Sequence, residues 1–174
     1  MRLVIPIFTV LLCSGTAVGQ EQTIYYGVFE GKNYEKETWH STKLREFQAN
    51  RPDNVFENYT LHKEADGTCK VKRECTTPSG DWMLYLTYKY GANGRLRQLE
   101  SDFRTFVADP AAEGNEGGVT RCLRVYDVSS GGKLEKKSEN ITDAKTGRKV
   151  VRRFFDPEVK HWMSLRDLPL EPKT

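Results

Sequence analysis

A chain of 174 residues, 37% hydrophobic, is long enough for one domain with a real core. Its 27 basic and 24 acidic side chains are too evenly balanced for a nucleic-acid partner, which calls for a concentrated basic excess. After residue 19 no run is long and apolar enough for a transmembrane helix.

The first 19 residues read as a secretory signal peptide. Met1-Arg2 supplies a minimal positive start, 3–13 is a short apolar stretch, and Ala17 and Gly19 are the small residues that precede a cut. The mature chain then begins at Gln20, and residues 20–174 form a single domain, secreted or periplasmic. A lipoprotein reading would lipidate Cys13, but Leu12 stands where a small residue is usual.

Residues 24–29 are β-branched and aromatic and predict a first strand ended by Gly31. Residues 33–50 are charged and fit either a short helix or an irregular second strand. Residues 55–64 predict a strand with Val55, Tyr59 and Leu61 on one face, and Asp66-Gly67 turns it. The return strand carries Cys69, Val71, Arg73 and Cys75 on one face. The segment 80–106 is the clearest. Trp82, Leu84, Leu86, Tyr88 and Tyr90 alternate, Asn93-Gly94 signals a hairpin of the primed type, and 95–106 returns. In that return Leu96 and Phe106 fall on even positions and Leu99 and Phe103 on odd ones, so a β-bulge near Gln98 is expected.

A Pro- and Gly-containing acidic loop at 109–118 leads to a strand over 119–128. There Val119, Leu123 and Val125 oppose Cys122 and Tyr126. Residues 133–141 are polar enough for an edge strand. After Val150, Val151, Phe154 and Phe155, the run Asp156-Pro157-Glu158 predicts a helix start, with Val159, Trp162 and Met163 as its apolar stripe. The fold class is therefore mainly β. An antiparallel meander forms a curved sheet or open barrel, with one or two short helices.

Three cysteines remain once the signal leaves, and an oxidising compartment predicts one disulfide. Cys69 and Cys75 are too far apart on one extended strand to pair. The expected bridge joins Cys122 to Cys75 or Cys69, with Cys75 preferred.

One hairpin grammar recurs. Tyr59-Thr60-Leu61 leads to Asp66-Gly67, Tyr88-Lys89-Tyr90 to Asn93-Gly94-Arg95-Leu96, and Val125-Tyr126-Asp127 to Gly131-Gly132. The spacing is not constant, so no repeat architecture follows. The middle copy resembles a YD repeat, the tyrosine-rich hairpin of secreted bacterial Rhs-type proteins. The whole chain is similar to uncharacterised β-rich exported proteins of bacteria. Neither resemblance implies an activity.

No phosphate loop, G-x-S-x-G elbow, H-E-x-x-H or C-x-x-C occurs, and no cofactor or metal is implied. His62 near the cysteines reads better as a surface histidine than as a metal ligand. Asp81 suits a turn as well as a pocket mouth. Lys145, Arg148, Lys149, Arg152 and Arg153 form a basic cluster, either a solvated face or a site for anionic headgroups. Trp82, Tyr85, Tyr88, Tyr90 and Tyr126 are the candidate ligand-binding aromatics, with core packing as the alternative. Asn58 and Asn140 head glycosylation sequons that matter only in a eukaryotic host. The reading is an exported, non-catalytic binding domain for an apolar or envelope ligand, lipid among them. The alternatives are a small hydrolase-like enzyme around Asp81 and His161, or a structural envelope protein.

Overall fold

The computed structural model describes residues 22–106, 118–150 and 159–170. Among these residues eight strands form one antiparallel sheet: β1 Thr23–Glu30, β2 Lys36–Lys43, β3 Val55–Lys63, β4 Cys69–Thr76, β5 Trp82–Tyr90, β6 Leu96–Thr105, β7 Thr120–Val128 and β8 Leu134–Asp143. Their order is β2-β1-β3-β4-β5-β6-β7-β8, so from β3 onward each strand pairs with the next in sequence. Short connections dictate this, because a tight hairpin can deliver only an antiparallel neighbour. Among the described strands β2 and β8 are the outermost, with Lys149 forming an isolated antiparallel bridge to Thr142 of β8, and the sheet is open and not a closed barrel. The ambiguous stretch 33–50 holds both of its expected forms, β2 followed by the short helix α1, Leu44–Ala49.

The main core lies on one face. Leu84, Leu86 and Tyr88 of β5 and Leu99 and Phe103 of β6 are its centre. Each such side chain stabilises by about 1.5–3 kcal/mol on full burial. The expected bulge is present. Tyr90 pairs with Leu96 and Lys89 with Gln98, so Arg97 is the extra residue and both Leu96 and Leu99 reach the core. A second shift sits in β3, where Gly27 pairs with Glu57 and Val28 with Val55. It turns Val55 away from Tyr59 and into a smaller cluster with Ile24 and Phe47 of α1. Alternation places that cluster on the opposite face from Tyr25, which pairs with Tyr59. The expectation that Val55 and Tyr59 share a face is corrected by this bulge. On β7 the core side is the one carrying Cys122 and Tyr126.

Three tight hairpins share one turn. In 64–68, 91–95 and 129–133 the fourth residue is a glycine with positive φ: Gly67 at 82°, Gly94 at 71°, Gly132 at 75°. Each glycine N–H bonds to the carbonyl three residues back, at 3.1, 2.8 and 2.9 Å respectively. This is a type I turn closed by a left-handed glycine. The primed turn expected at Asn93-Gly94 is thus corrected, since only Gly94 has positive φ. Asn93 serves differently: its Oδ1 accepts the Arg95 N–H at 3.1 Å, as Asp66 Oδ1 accepts the Thr68 N–H at 2.9 Å.

No disulfide joins Cys69, Cys75 and Cys122. Cys75 pairs across to Leu84, Leu84 to Phe103, and Phe103 to Cys122. Three strand spacings separate the two sulfurs' backbones, about 14 Å. A disulfide spans roughly 4.4–6.8 Å between Cα atoms. The expected bridge fails because the central hairpin inserts β5 and β6 between them.

The apolar stripe Val159, Trp162 and Met163 is not a helix. Residues 159–163 run irregularly, and only a 3-10 turn follows at Leu165–Asp167. The start expected at 156–158 lies outside the described residues. The carbonyls that a helix would use internally are taken by the sheet. Tyr88 Oη donates to the Lys160 carbonyl at 2.8 Å, Tyr90 Oη to Trp162 at 3.2 Å, and the Leu96 N–H to Met163 at 2.9 Å.

Candidate functional site

The aromatic face is filled by the chain itself. Tyr88 and Tyr90 are 0% and 2% exposed, and Trp162 lies 5.6 Å from the Tyr88 ring and 6.1 Å from Tyr59. Trp82 and Tyr126 are half-buried on the same face, Trp82 against Phe103. Tyr85 points to the other side of the sheet, where the Arg104 guanidinium sits 5.2 Å from its ring. The five aromatics therefore do not line one cavity.

Below Trp162 is a buried polar knot. Arg73 Nε donates to Glu57 Oε1 at 2.8 Å, and Tyr59 Oη donates to the same oxygen at 2.6 Å. The Arg73 guanidinium also stacks at 5.7 Å on both Tyr59 and Trp162. Burial disfavours the Arg73 charge, but the Glu57 carboxylate outweighs it and holds the guanidinium protonated. Burial raises the Tyr59 hydroxyl, with Glu57 adding to the rise. This knot joins β3, β4 and the C-terminal segment.

The other polar candidates stay apart. Asp81 accepts from Ser79 Oγ at 2.6 Å within its turn. His161 sits between Lys160 and Trp162, which bond to Tyr88 and Tyr90, so it lies about 20 Å or more along β5 from Asp81. His62 is held between Gln22 at 3.3 Å and Glu64 at 3.1 Å, and alternation turns it away from Cys69. Among the described residues no three His, Cys, Asp or Glu side chains converge as metal ligands. Lys145, Arg148 and Lys149 are exposed around a turn capped by Asp143, while Arg152 and Arg153 lie outside the described residues.

A cleft of about 1050 Å³ opens at one end of the sheet. It lies between the β5–β6 tip (92–97), the β7–β8 tip (128–132) and residues 163–166. The C-terminal segment is stitched to the first tip. Besides the Leu96–Met163 bond, the Leu165 N–H donates to the Gly94 carbonyl at 2.9 Å, and Arg95 and Ser164 form an isolated antiparallel bridge. Leu96, Val128, Met163 and Leu165 supply apolar wall. Arg95, Arg97 and Arg166 supply charge, and no Asp or Glu is among the described lining residues.

Two local devices place Arg97. It is the bulged residue of β6, and a bulge re-aims a side chain. Its guanidinium also occupies space that Gly91 leaves open, because a Cβ there would fall 2.5 Å from Arg97 Nε. A neighbouring hollow of about 610 Å³ is of mixed charge, with Glu64 and Asp66 facing Lys70, Lys89 and Arg97. None of these arginines stood out in the sequence. Arg95 and Arg97 flanking Leu96 beside a bulge was the available signal, but Arg166 is distant in the chain. No family model matches the chain, and neither a curated protein nor a solved structure matches it significantly.

Proposed function

We propose that this chain is an exported, non-catalytic binding domain whose apolar or envelope ligand lodges in the cleft between the hairpin tips and the C-terminal segment. One observation carries the reading: a concave space of about 1050 Å³ with both apolar wall and a few convergent polar groups. That combination is the usual form of a small-molecule site. The aromatic face is the poorer candidate, because Trp162 already occupies it. Among its described residues the cleft lining holds serines but no His, Cys, Asp or Glu to act as a general base beside a nucleophile, which favours binding over hydrolysis. Export rests on the signal-peptide pattern of 1–19.

Native mass spectrometry of protein purified from its own host tests this. The expected result is a retained small molecule that is lost in Gly131→Trp, which fills the cleft from a position with one atom at 4.0 Å and none closer. A molecule retained equally by Gly131→Trp would place binding elsewhere. No bound molecule and no affinity for any alkyl probe would refute the reading.

A further inference from the structure

Arg95, Arg97 and Arg166 line a single cleft, and no carboxylate is among its described lining residues. Elsewhere in the sheet arginines have carboxylate partners. Arg73 has Glu57, Arg104 and Arg121 share Asp102, and Arg124 has Glu139. Arg95, Arg97 and Arg166 make no ion pair among the described residues. Three like charges around one concave space repel one another, and among the described lining residues no carboxylate offsets that repulsion, while Arg97 also borders the neighbouring hollow that holds Glu64 and Asp66. The three charges also focus a positive potential into the cleft.

Each arginine arrives by a different route: Arg95 on the bridge to Ser164, Arg97 on the bulge over Gly91, Arg166 in the 3-10 turn. Arginine, with its planar fork, suits carboxylate and phosphate oxygens. The apolar side chains of Leu96, Val128, Met163 and Leu165 stand beside that charge. We infer that the cleft takes an amphiphilic anion, a phosphate or carboxylate headgroup on an apolar body, with Arg95, Arg97 and Arg166 holding the headgroup. This inference rests on the cleft being the binding site.

Isothermal titration of the chain beginning at Gln20, with matched probes below their micelle concentrations, tests it. Laurate and dodecyl phosphate should bind at least about tenfold more tightly than dodecanol, the worth of one charge-assisted hydrogen bond. Arg95→Gln, Arg97→Gln and Arg166→Gln should each weaken the anions by about tenfold on the same basis while leaving dodecanol unchanged. Unaltered urea midpoints of these exposed variants would show that the fold is kept. Dodecanol or dodecyltrimethylammonium binding as well as laurate would overturn the headgroup inference and leave the cleft reading standing. Inorganic phosphate binding as tightly as dodecyl phosphate would overturn the amphiphile, since the apolar body would add nothing. Failure of every probe, dodecanol included, would overturn both readings.

Discussion

Trp162→Ala should unfasten the C-terminal segment from the sheet. Full removal of a buried Trp side chain costs about 3–5 kcal/mol. Trp162 is half-buried, so about 2 kcal/mol of that applies by area. Its ring contacts with Tyr88 and Tyr59 add roughly 0.5–1.5 kcal/mol each at most, and the Arg73 stack about 0.5–1. The sum is an upper bound, because contacts in one cluster are not additive. The expected loss is about 2–4 kcal/mol. At about 2–4 °C per kcal/mol for a chain of this size, Tm should fall by roughly 5–15 °C. Urea unfolding followed by circular dichroism and by the fluorescence of Trp39 and Trp82 measures it. Trp162→Phe should recover about half of the loss, because a smaller ring still reaches Tyr88. A loss below about 1 kcal/mol, less than the area term alone, would refute the reasoning and make the segment a surface strand over a face that needs no cover.

Glu57→Gln should cost about 3–5 kcal/mol, because it strands the Arg73 charge at 7% side-chain exposure. Adding Arg73→Met should restore part of that in urea melts, whereas a further additive loss would contradict the pairing. Gly94→Val should cost about 1–3 kcal/mol from its φ of 71° alone, since the nearest atom to a Cβ there is 3.9 Å away, while Gly131→Val should be close to neutral. Burial pushes the Cys75 thiol up to about 11 and raises Cys69 as well, so a thiol reagent at pH 8 should react slowly with the native chain and with all three cysteines once guanidinium unfolds it. Burial works against the Asp102 charge, but hydrogen bonds from Arg121 and Arg104 outweigh it and hold the carboxyl below its ordinary value. Its contribution is therefore complete above the unfolded value, about 3.9, and declines as pH falls through the lower folded one. Asp102→Asn should lose stability at pH 6 and show a flatter acid limb than the parent in urea midpoints.

Most of the sheet was legible because its causes are local. Alternation in 82–90 sets which side chains meet the core, and glycine at 67, 94 and 132 sets where the chain turns. The bulge beside Gln98 was legible too, since only a register shift lets Leu96 and Leu99 face the same way. What failed was whatever depended on counting strands or on a distant segment. The hairpin over 80–106 is legible in the sequence but its place in the sheet is not: the expectation puts the strands of Cys75 and Cys122 side by side, whereas β5 and β6 lie between them. The stripe at 159–163 fits a helix in isolation. It becomes an irregular strap because Tyr88, Tyr90 and Leu96 offer its carbonyls better-placed donors than its own amides would. The same long-range contact builds the cleft, for Arg166 reaches Arg95 and Arg97 only because residues 163–165 bond across to Gly94 and Leu96. The cleft is therefore a product of the strap's docking, and Tyr88 and Tyr90 on the sheet face shape it through the strap they hold in place.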